Sequence, residues 1–169
     1  MSTRAAAQIR ANLKAAGYNR TKVSVRADNY SMGSSVYVEV KDPTADYEAI
    51  QDIALQQESI RRCDFSGEIL SGGNTYIHVK HSPEARAALA EPLAERVKAA
   101  WEKATDSLVV PVEGTQFFVS RAGPVAMDVN LWDEDTLRAS VWNGSGTFLD
   151  AAYRLARMIR YDAAQAAKG

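Results

Sequence analysis

Between Val23 and Val40 the chain reads VSVRADNYSMGSSVYVEV, and this stretch decides the fold of the N-terminal part. Apolar and polar residues alternate toward both of its ends, which is typical of strands with one buried face. The pattern predicts an antiparallel hairpin in which Val25 pairs with Val38 and Val23 pairs with Val40. In that register the valines share one face of the sheet, and polar and aromatic side chains occupy the other face.

The centre of the stretch, residues 28–35, is predicted to be an ordered loop of about eight residues that joins the two strands. Gly33 can adopt the positive φ that a turn requires, because it has no Cβ. The short polar side chains of Asp28, Asn29 and Ser31 can hydrogen-bond to nearby backbone groups, as turn residues often do. We therefore expect a defined loop whose side chains are available to a partner.

Short motifs around the hairpin match those of a known family. The matched motifs are Ile9-Arg10, Leu13-Lys14, Val23-Ser24-Val25-Arg26, Tyr30-Ser31-Met32-Gly33 and Asp42-Pro43. About the first third to half of the chain thereby resembles a domain of the large polyvalent proteins of phages and plasmids, the twenty-ninth of that series. Val40 stands where the family has a tryptophan, and the family's glycine before Pro43 is missing. The resemblance implies a mobile-element protein that acts against host defences, and it carries over no catalytic residue.

The composition is that of an ordinary globular protein, since 46% of the 169 residues are hydrophobic and 24% are charged. Cys63 is the only cysteine, which excludes an intramolecular disulfide and fits a reducing compartment. No stretch approaches the roughly 20 apolar residues of a membrane span. We expect a cytoplasmic protein of the bacterial host that is neither secreted nor embedded in a membrane.

Charge is unevenly distributed along the chain, although the net charge is only -1. Six basic residues come before the first acidic residue, and four acidic residues cluster in a later hairpin. The basic residues are Arg4, Arg10, Lys14, Arg20, Lys22 and Arg26, and the acidic ones are Asp128, Asp133, Glu134 and Asp135. The basic segment is interpreted either as a contact to nucleic acid or to an acidic protein surface, or as a solvated helix face.

Helix and turn signals divide the first half into a helix, the hairpin, a second helix and a strand. The first helix covers residues 3–16 and ends at Gly17. The second helix begins with Asp42 as its N-cap and Pro43 at its first position, and it reaches about Arg62. A loop or short hairpin and a third strand follow, at residues 64–74 and 75–79.

The second half is predicted to be an antiparallel four-strand meander followed by a helix. A helical link precedes it, starting at Ser82-Pro83 and bent or split at Pro92. In the last hairpin Leu131 is predicted to face Leu137. The strands cover about 107–113, 115–121, 126–132 and 136–142, and the last helix covers about 147–166.

The fold class that follows is α+β. Three regions are expected, which could also form one continuous domain: the polyvalent-protein-like unit at 1–81, the helical link at 82–105, and the meander with its helix at 106–169. If the first three strands are adjacent, both helices cover the valine face. The other face then carries Arg26, Tyr37, Glu39, Tyr76 and His78.

The common cofactor and hydrolase motifs are absent from the sequence. His78 and His81 could bind a divalent metal together with Asp64, but both also suit an ordinary exposed turn. Cys63 could be a nucleophile, yet a cysteine in the core of an α+β protein usually serves only as a small apolar side chain. We expect no catalytic residue, no metal and no cofactor. We interpret the three tryptophans of the chain as core anchors rather than as platforms for a ligand. They are Trp101, Trp132 and Trp142.

The leading hypothesis is a non-enzymatic phage or mobile-element protein that inhibits a host defence system of the CRISPR or restriction type. Its partner would be a defence protein or ribonucleoprotein complex whose surface it occludes. Candidate contacts lie in the basic segment, the loop and the acidic hairpin. They are Arg20, Arg26, Asp28, Tyr30, Met32, Asp133, Glu134 and Asp135.

The alternative is a nucleic-acid-binding accessory protein of a mobile element. Aromatic side chains on neighbouring strands can stack on the bases of a single strand. The candidate residues are Arg26, Tyr37 and Tyr76. The isoelectric point of about 6.1 argues against strong nonspecific binding to DNA. A homodimer is compatible with either hypothesis.

Overall fold

The computed structural model describes residues 2–31, 33–105, 107–121, 128–134, 136–142 and 148–167. These residues form a mixed α+β protein with four helices and two sheets, which confirms the fold class. None of these helices is both long enough and apolar enough to cross a membrane. The helices are α1 Ser2–Ala15, α2 Tyr47–Leu55, α3 Pro83–Lys103 and α4 Leu149–Ala166. The strands are β1 Val23–Tyr30, β2 Gly33–Val40, β3 Asn74–His81, β4 Val110–Pro111, β5 Phe117–Arg121, β6 Asp128–Asp133 and β7 Thr136–Trp142.

The chain divides into two compact units, Met1–Ala85 and Arg86–Gly169. In the first unit β2 is the central strand, paired antiparallel with β1 and parallel with β3. The parallel pair requires a crossover connection, and α2 lies in that connection. Both α1 and α2 pack on the valine face of the sheet. The core of this unit includes Ile9, Leu13, Val36, Val38, Val40 and Ile50.

The predicted register of the first hairpin is confirmed, with Val25 opposite Val38. The predicted loop at residues 28–35 is wrong, because the strands continue until Tyr30 pairs with Gly33. Only two positions, 31 and 32, separate the strands. Residues 33–35 are extended because β3 pairs with β2 from Gly33 onward, so hydrogen bonds on both sides of β2 satisfy its backbone groups.

The predicted start of the second helix at Asp42 is also wrong. The Asp42 Oδ1 atom accepts hydrogen bonds from the backbone N–H and the hydroxyl of Thr44, at 2.8 and 2.6 Å, and so closes a turn. The N-cap of α2 is Asp46, which accepts from the Ala49 N–H at 3.0 Å. A short acidic side chain suits both roles, so sequence alone could not choose between the two aspartates.

In the second unit β4, β5, β6 and β7 form an antiparallel sheet in chain order. Helices α3 and α4 contribute to the same core as this sheet, which surrounds the fully buried Phe117. α3 continues through Pro92 as one helix, so it is not split there. Further core residues are Leu93, Val97, Val119, Leu131 and Leu155.

The predicted register of the last hairpin is wrong by two positions. Leu131 pairs with Ala139 rather than with Leu137, and Trp132 is the residue that pairs with Leu137. Arg138 is therefore the extra residue of a bulge, which breaks the regular alternation that the prediction assumed.

Candidate functional site

The face of the first sheet opposite the valines gathers most of the aromatic and charged residues of its strands. Side chains alternate along each strand, so the register alone decides which residues share this face. We call this surface the open face, because α1 and α2 pack on the other side. It carries Ser24, Arg26, Asp28 and Tyr30 of β1, Ser35, Tyr37 and Glu39 of β2, and Tyr76, His78 and Lys80 of β3.

A row of three delocalised groups crosses the open face from β1 to β3. Tyr37 pairs in register with Arg26 on one side and with His78 on the other. The Arg26 Cζ lies 5.6 Å from the centroid of the Tyr37 ring, a cation–π distance. The His78 and Tyr37 ring centroids are 5.1 Å apart with 19° between the ring planes, so the rings are stacked. The two ends of the row, Arg26 and His78, are exposed.

Two more tyrosines flank the row without joining it. The Tyr30 hydroxyl lies 3.3 Å from the Ser35 Oγ. Tyr76 is in register with Ser35, one row away from Tyr37, so the two tyrosines expected to act together are not directly paired. The ring that stacks on Tyr37 is that of His78. The sequence analysis does not predict that β3 pairs with β2 in parallel. That pairing is what places His78 beside Tyr37.

The charges of the open face are mixed. Arg26 and Lys80 are exposed, and so is Asp28. The half-buried Glu39 accepts a hydrogen bond of 3.4 Å from the Ser24 hydroxyl. A ligand of either sign would meet both attraction and repulsion, so stacking and hydrogen bonds must supply most of its binding on this face.

The candidate contacts of the hairpin are only partly brought together. Arg26, Asp28 and Tyr30 alternate along β1 and share the open face. Arg20 lies before β1, outside the sheet, and lines a cavity beside α1. Met32 lies outside the described residues.

The acidic hairpin belongs to the second unit, and its charge is partly neutralised there. The Asp133 carboxylate accepts a hydrogen bond of 2.6 Å from Arg138, whose guanidinium also reaches Asp162 of α4 at 3.1 Å. Glu134 is exposed and has a φ of 49°, as a turn residue can. Asp135 lies outside the described residues.

The idea that His78 and His81 converge on a metal is wrong. Residues three apart on a strand point to opposite faces. His78 is exposed on the open face, whereas His81 is buried on the valine side and stacks on Tyr47 at 4.7 Å between centroids. Across the described part of the chain, no group of three or more histidine, cysteine, aspartate or glutamate residues is arranged to hold a metal ion.

Cys63 lies in a short turn between α2 and β3. Its backbone N–H donates to the Glu68 carbonyl at 2.8 Å, and its carbonyl accepts from the Gly67 N–H at 2.9 Å. The Ser66 hydroxyl, followed by the backbone N–H groups of Ser66 and Phe65, donates to the sulfur and lowers the pKa of the Cys63 thiol to about 7. Hydrogen bonds to the thiolate have this effect because they favour the charged form.

We expect Cys63 to react with iodoacetamide along a pH profile whose midpoint is about 7. Only the thiolate is nucleophilic, and an ordinary thiol has a pKa near 8.5. Ser66→Ala removes the hydroxyl donor, so the midpoint should move to higher pH. The rate is measured by mass spectrometry of the single cysteine. A midpoint near 8.5 in the unchanged protein would contradict this account of the turn.

Comparison with known proteins finds no family model that matches the chain, and no similar curated protein or solved structure. The resemblance to the polyvalent-protein domain therefore stays a prediction.

Proposed function

We propose that the protein binds single-stranded nucleic acid through the open face and has no catalytic role. The observation that carries this proposal is the row formed by Arg26, Tyr37 and His78 across three adjacent strands. Proteins that bind single strands place aromatic rings and guanidinium planes where bases can stack on them. A row that is already stacked loses little side-chain entropy when a base adds to it.

The two ends of the row are the places where bases add. The Tyr37 ring is held between its neighbours, whereas the Arg26 guanidinium and the His78 ring are exposed. Each end offers a plane, and stacking on such a plane contributes about 1–3 kcal/mol per base. The near-neutral net charge limits the nonspecific electrostatic attraction to phosphates. Stacking therefore supplies a larger share of the affinity than in strongly basic proteins.

Occlusion of a host defence protein stays a prediction with less support from the geometry. Its acidic side chains would have to imitate nucleic acid, but Asp133 is paired with Arg138. Asp28 lies on the open face two positions from Arg26, so its charge is offset there. The proposed mobile-element origin rests on the resemblance alone.

The test is binding of a fluorescent 12-nucleotide oligothymidine, and of the matching oligouridine, followed by fluorescence anisotropy. A Tyr37→Ala, His78→Ala double variant should bind about 5- to 100-fold more weakly, because it loses the stacking planes. Arg26→Ala should weaken binding as well. Comparison of the two oligonucleotides shows whether DNA or RNA is preferred.

The matched control is Tyr161→Ala, which removes an exposed tyrosine from α4 in the other unit. It should leave the affinity unchanged. The proposal is overturned if the unchanged protein does not bind either oligonucleotide at 50 mM salt, or if the double variant binds as tightly. Circular dichroism verifies that the variants are folded.

A further inference from the structure

A basic groove lies where the C-terminal end of α1 meets the start of β1. Its volume is about 590 Å³, within the range of roughly 300–1,000 Å³ that ligand sites occupy. Four cationic side chains line it, together with Tyr18. Neither aspartate nor glutamate is among the described residues that line this groove. The cationic residues are Arg10, Lys14, Arg20 and Lys41.

The chain reversal after α1 forms one wall of the basic groove. Gly17 ends the helix with a φ of 86°, as predicted. The N–H groups of Gly17 and Tyr18 donate to the carbonyls of Lys14 and Leu13 at 3.1 and 2.8 Å, which is a Schellman motif. The side-chain oxygen of Asn19 then accepts two backbone N–H groups and closes a second turn. These local bonds fix the wall that carries the next residue, Arg20.

Arg10 also lines the groove and is anchored to β1. Its Nη2 donates a hydrogen bond of 2.8 Å to the carbonyl of Val25 on β1. A guanidinium has five N–H donors, so this bond fixes the group and leaves others to bind a ligand. Because Arg10 is exposed and lines the groove, those donors are accessible to solvent.

The charges of the groove are only partly compensated by the rest of the unit, where Lys41 is near enough to Glu84 to help lower the pKa of that carboxyl. Lys14 and Arg20 make no ion pair with any described residue. Of the aspartates on the neighbouring segment, Asp42 is 3.8 Å from Lys22 and Asp46 caps α2. Cations gathered with few counter-charges repel one another, and an anion bound among them relieves that repulsion.

We propose that the basic groove binds the phosphate groups of single-stranded nucleic acid, an inference that rests on the proposed function and extends it from the bases to the backbone. Two guanidinium groups in one groove suit phosphate, because each presents paired N–H donors that match its oxygens. Ser24 lines the groove and also lies on the open face, two positions from Arg26. A nucleic-acid strand whose base stacks on Arg26 therefore reaches the groove by crossing the edge of β1.

The test compares the unchanged protein with a Lys14→Gln, Arg20→Gln double variant. Two probes are titrated: the 12-nucleotide oligothymidine by anisotropy and inorganic tripolyphosphate by calorimetry. The variant should bind the oligonucleotide about tenfold more weakly and show no measurable binding of tripolyphosphate. The slope of log affinity against log salt should also become shallower by about 0.7 for every phosphate that the variant no longer neutralises.

The control for this test is Lys103→Gln with Arg154→Gln, two exposed cations of the second unit that give the same change in net charge. It should bind both probes as the unchanged protein does. Unaltered oligonucleotide binding in the groove variant, with weaker binding in the Tyr37→Ala, His78→Ala variant, would overturn the groove assignment and keep the proposed function.

Three other outcomes test the chemistry and the source of the ligand. Tripolyphosphate bound in the groove without any oligonucleotide binding would overturn the assignment to nucleic acid together with the proposed function. A hexaglutamate peptide that displaces tripolyphosphate at equal concentration would overturn phosphate recognition in favour of an acidic peptide. If neither tripolyphosphate nor hexaglutamate binds the unchanged protein, the groove is not an anion site.

Discussion

Replacement of Phe117 by alanine is expected to destabilise the second unit by about 3–5 kcal/mol. The Phe117 side chain is fully buried, and it lies in the core that the sheet shares with α3 and α4. Its removal leaves a cavity that the surrounding side chains cannot fill completely. All three tryptophans of the chain lie in this unit, so tryptophan fluorescence in a urea titration reports its unfolding.

The matched control for this prediction is Phe118→Ala, one position along the same strand. Phe118 is only half-buried and points to the other face of the sheet, so its truncation should cost less than half as much. Phe117→Leu should also cost less than Phe117→Ala, because most of the volume is kept. Equal destabilisation by Phe117→Ala and Phe118→Ala would contradict the assignment of Phe117 to the core.

Gly33→Ala should destabilise the first unit by about 1–3 kcal/mol. A Cβ at this position would lie 2.9 Å from the carbonyl oxygen of Asn74, which belongs to the backbone of β3. Backbone cannot rotate away as a side chain can, so β2 and β3 must separate locally. The measurement is hydrogen exchange by mass spectrometry, in which the amides of β3 should exchange faster in the variant.

Gly17 is the matched control for Gly33, since each glycine is needed for a different reason. Gly17 has a φ of 86° and open space where a Cβ would be, so its constraint is conformational. Gly17→Asn should therefore be tolerated, because asparagine enters the left-handed region more readily than other residues. Gly33→Asn should destabilise at least as much as Gly33→Ala. The reverse ranking would contradict the close approach of β3.

The sequence predicts the register of the first hairpin because alternation and pairing are both local. It does not predict the extent of the strands, because β2 is held extended from Gly33 onward by β3, some 40 positions further along the chain. The same strand explains why a glycine ends the Tyr30-Ser31-Met32-Gly33 motif. Gly33 has the character of a turn residue in the sequence, but its small size is required by the Asn74 backbone.

The errors in the other elements also arise from interactions that local patterns do not contain. The bulge at Arg138 brings its guanidinium to Asp162 on α4, and no pattern within the hairpin indicates that partner. Asp42 is predicted as the cap of α2 because Pro43 follows it, but Asp46, which has the same short acidic side chain, fills that position.

The candidate site is predictable in part. Strand alternation places Arg26, Tyr37 and His78 on one face, but their alignment in one row depends on the parallel pairing of β2 with β3. The opposite orientation of His78 and His81 is available from their spacing, which is odd. In the sequence, most cations of the basic groove are recognisable only as part of a basic segment. The turns after α1 bring Arg10 and Arg20 to one cavity, and the sequence does not predict that arrangement.

The hydrogen bond from Arg10 to the Val25 carbonyl also bears on how the protein behaves when concentrated. β1 is one of the two edge strands of its sheet, and a bare edge lets another molecule add a strand and start aggregation. Arg10 occupies one of the outward-facing carbonyls, and the positive charges of Lys14 and Arg20 lie beside it. A second copy approaching this edge meets like charges and a carbonyl already in use, so the cations that would hold a ligand also oppose strand addition at β1.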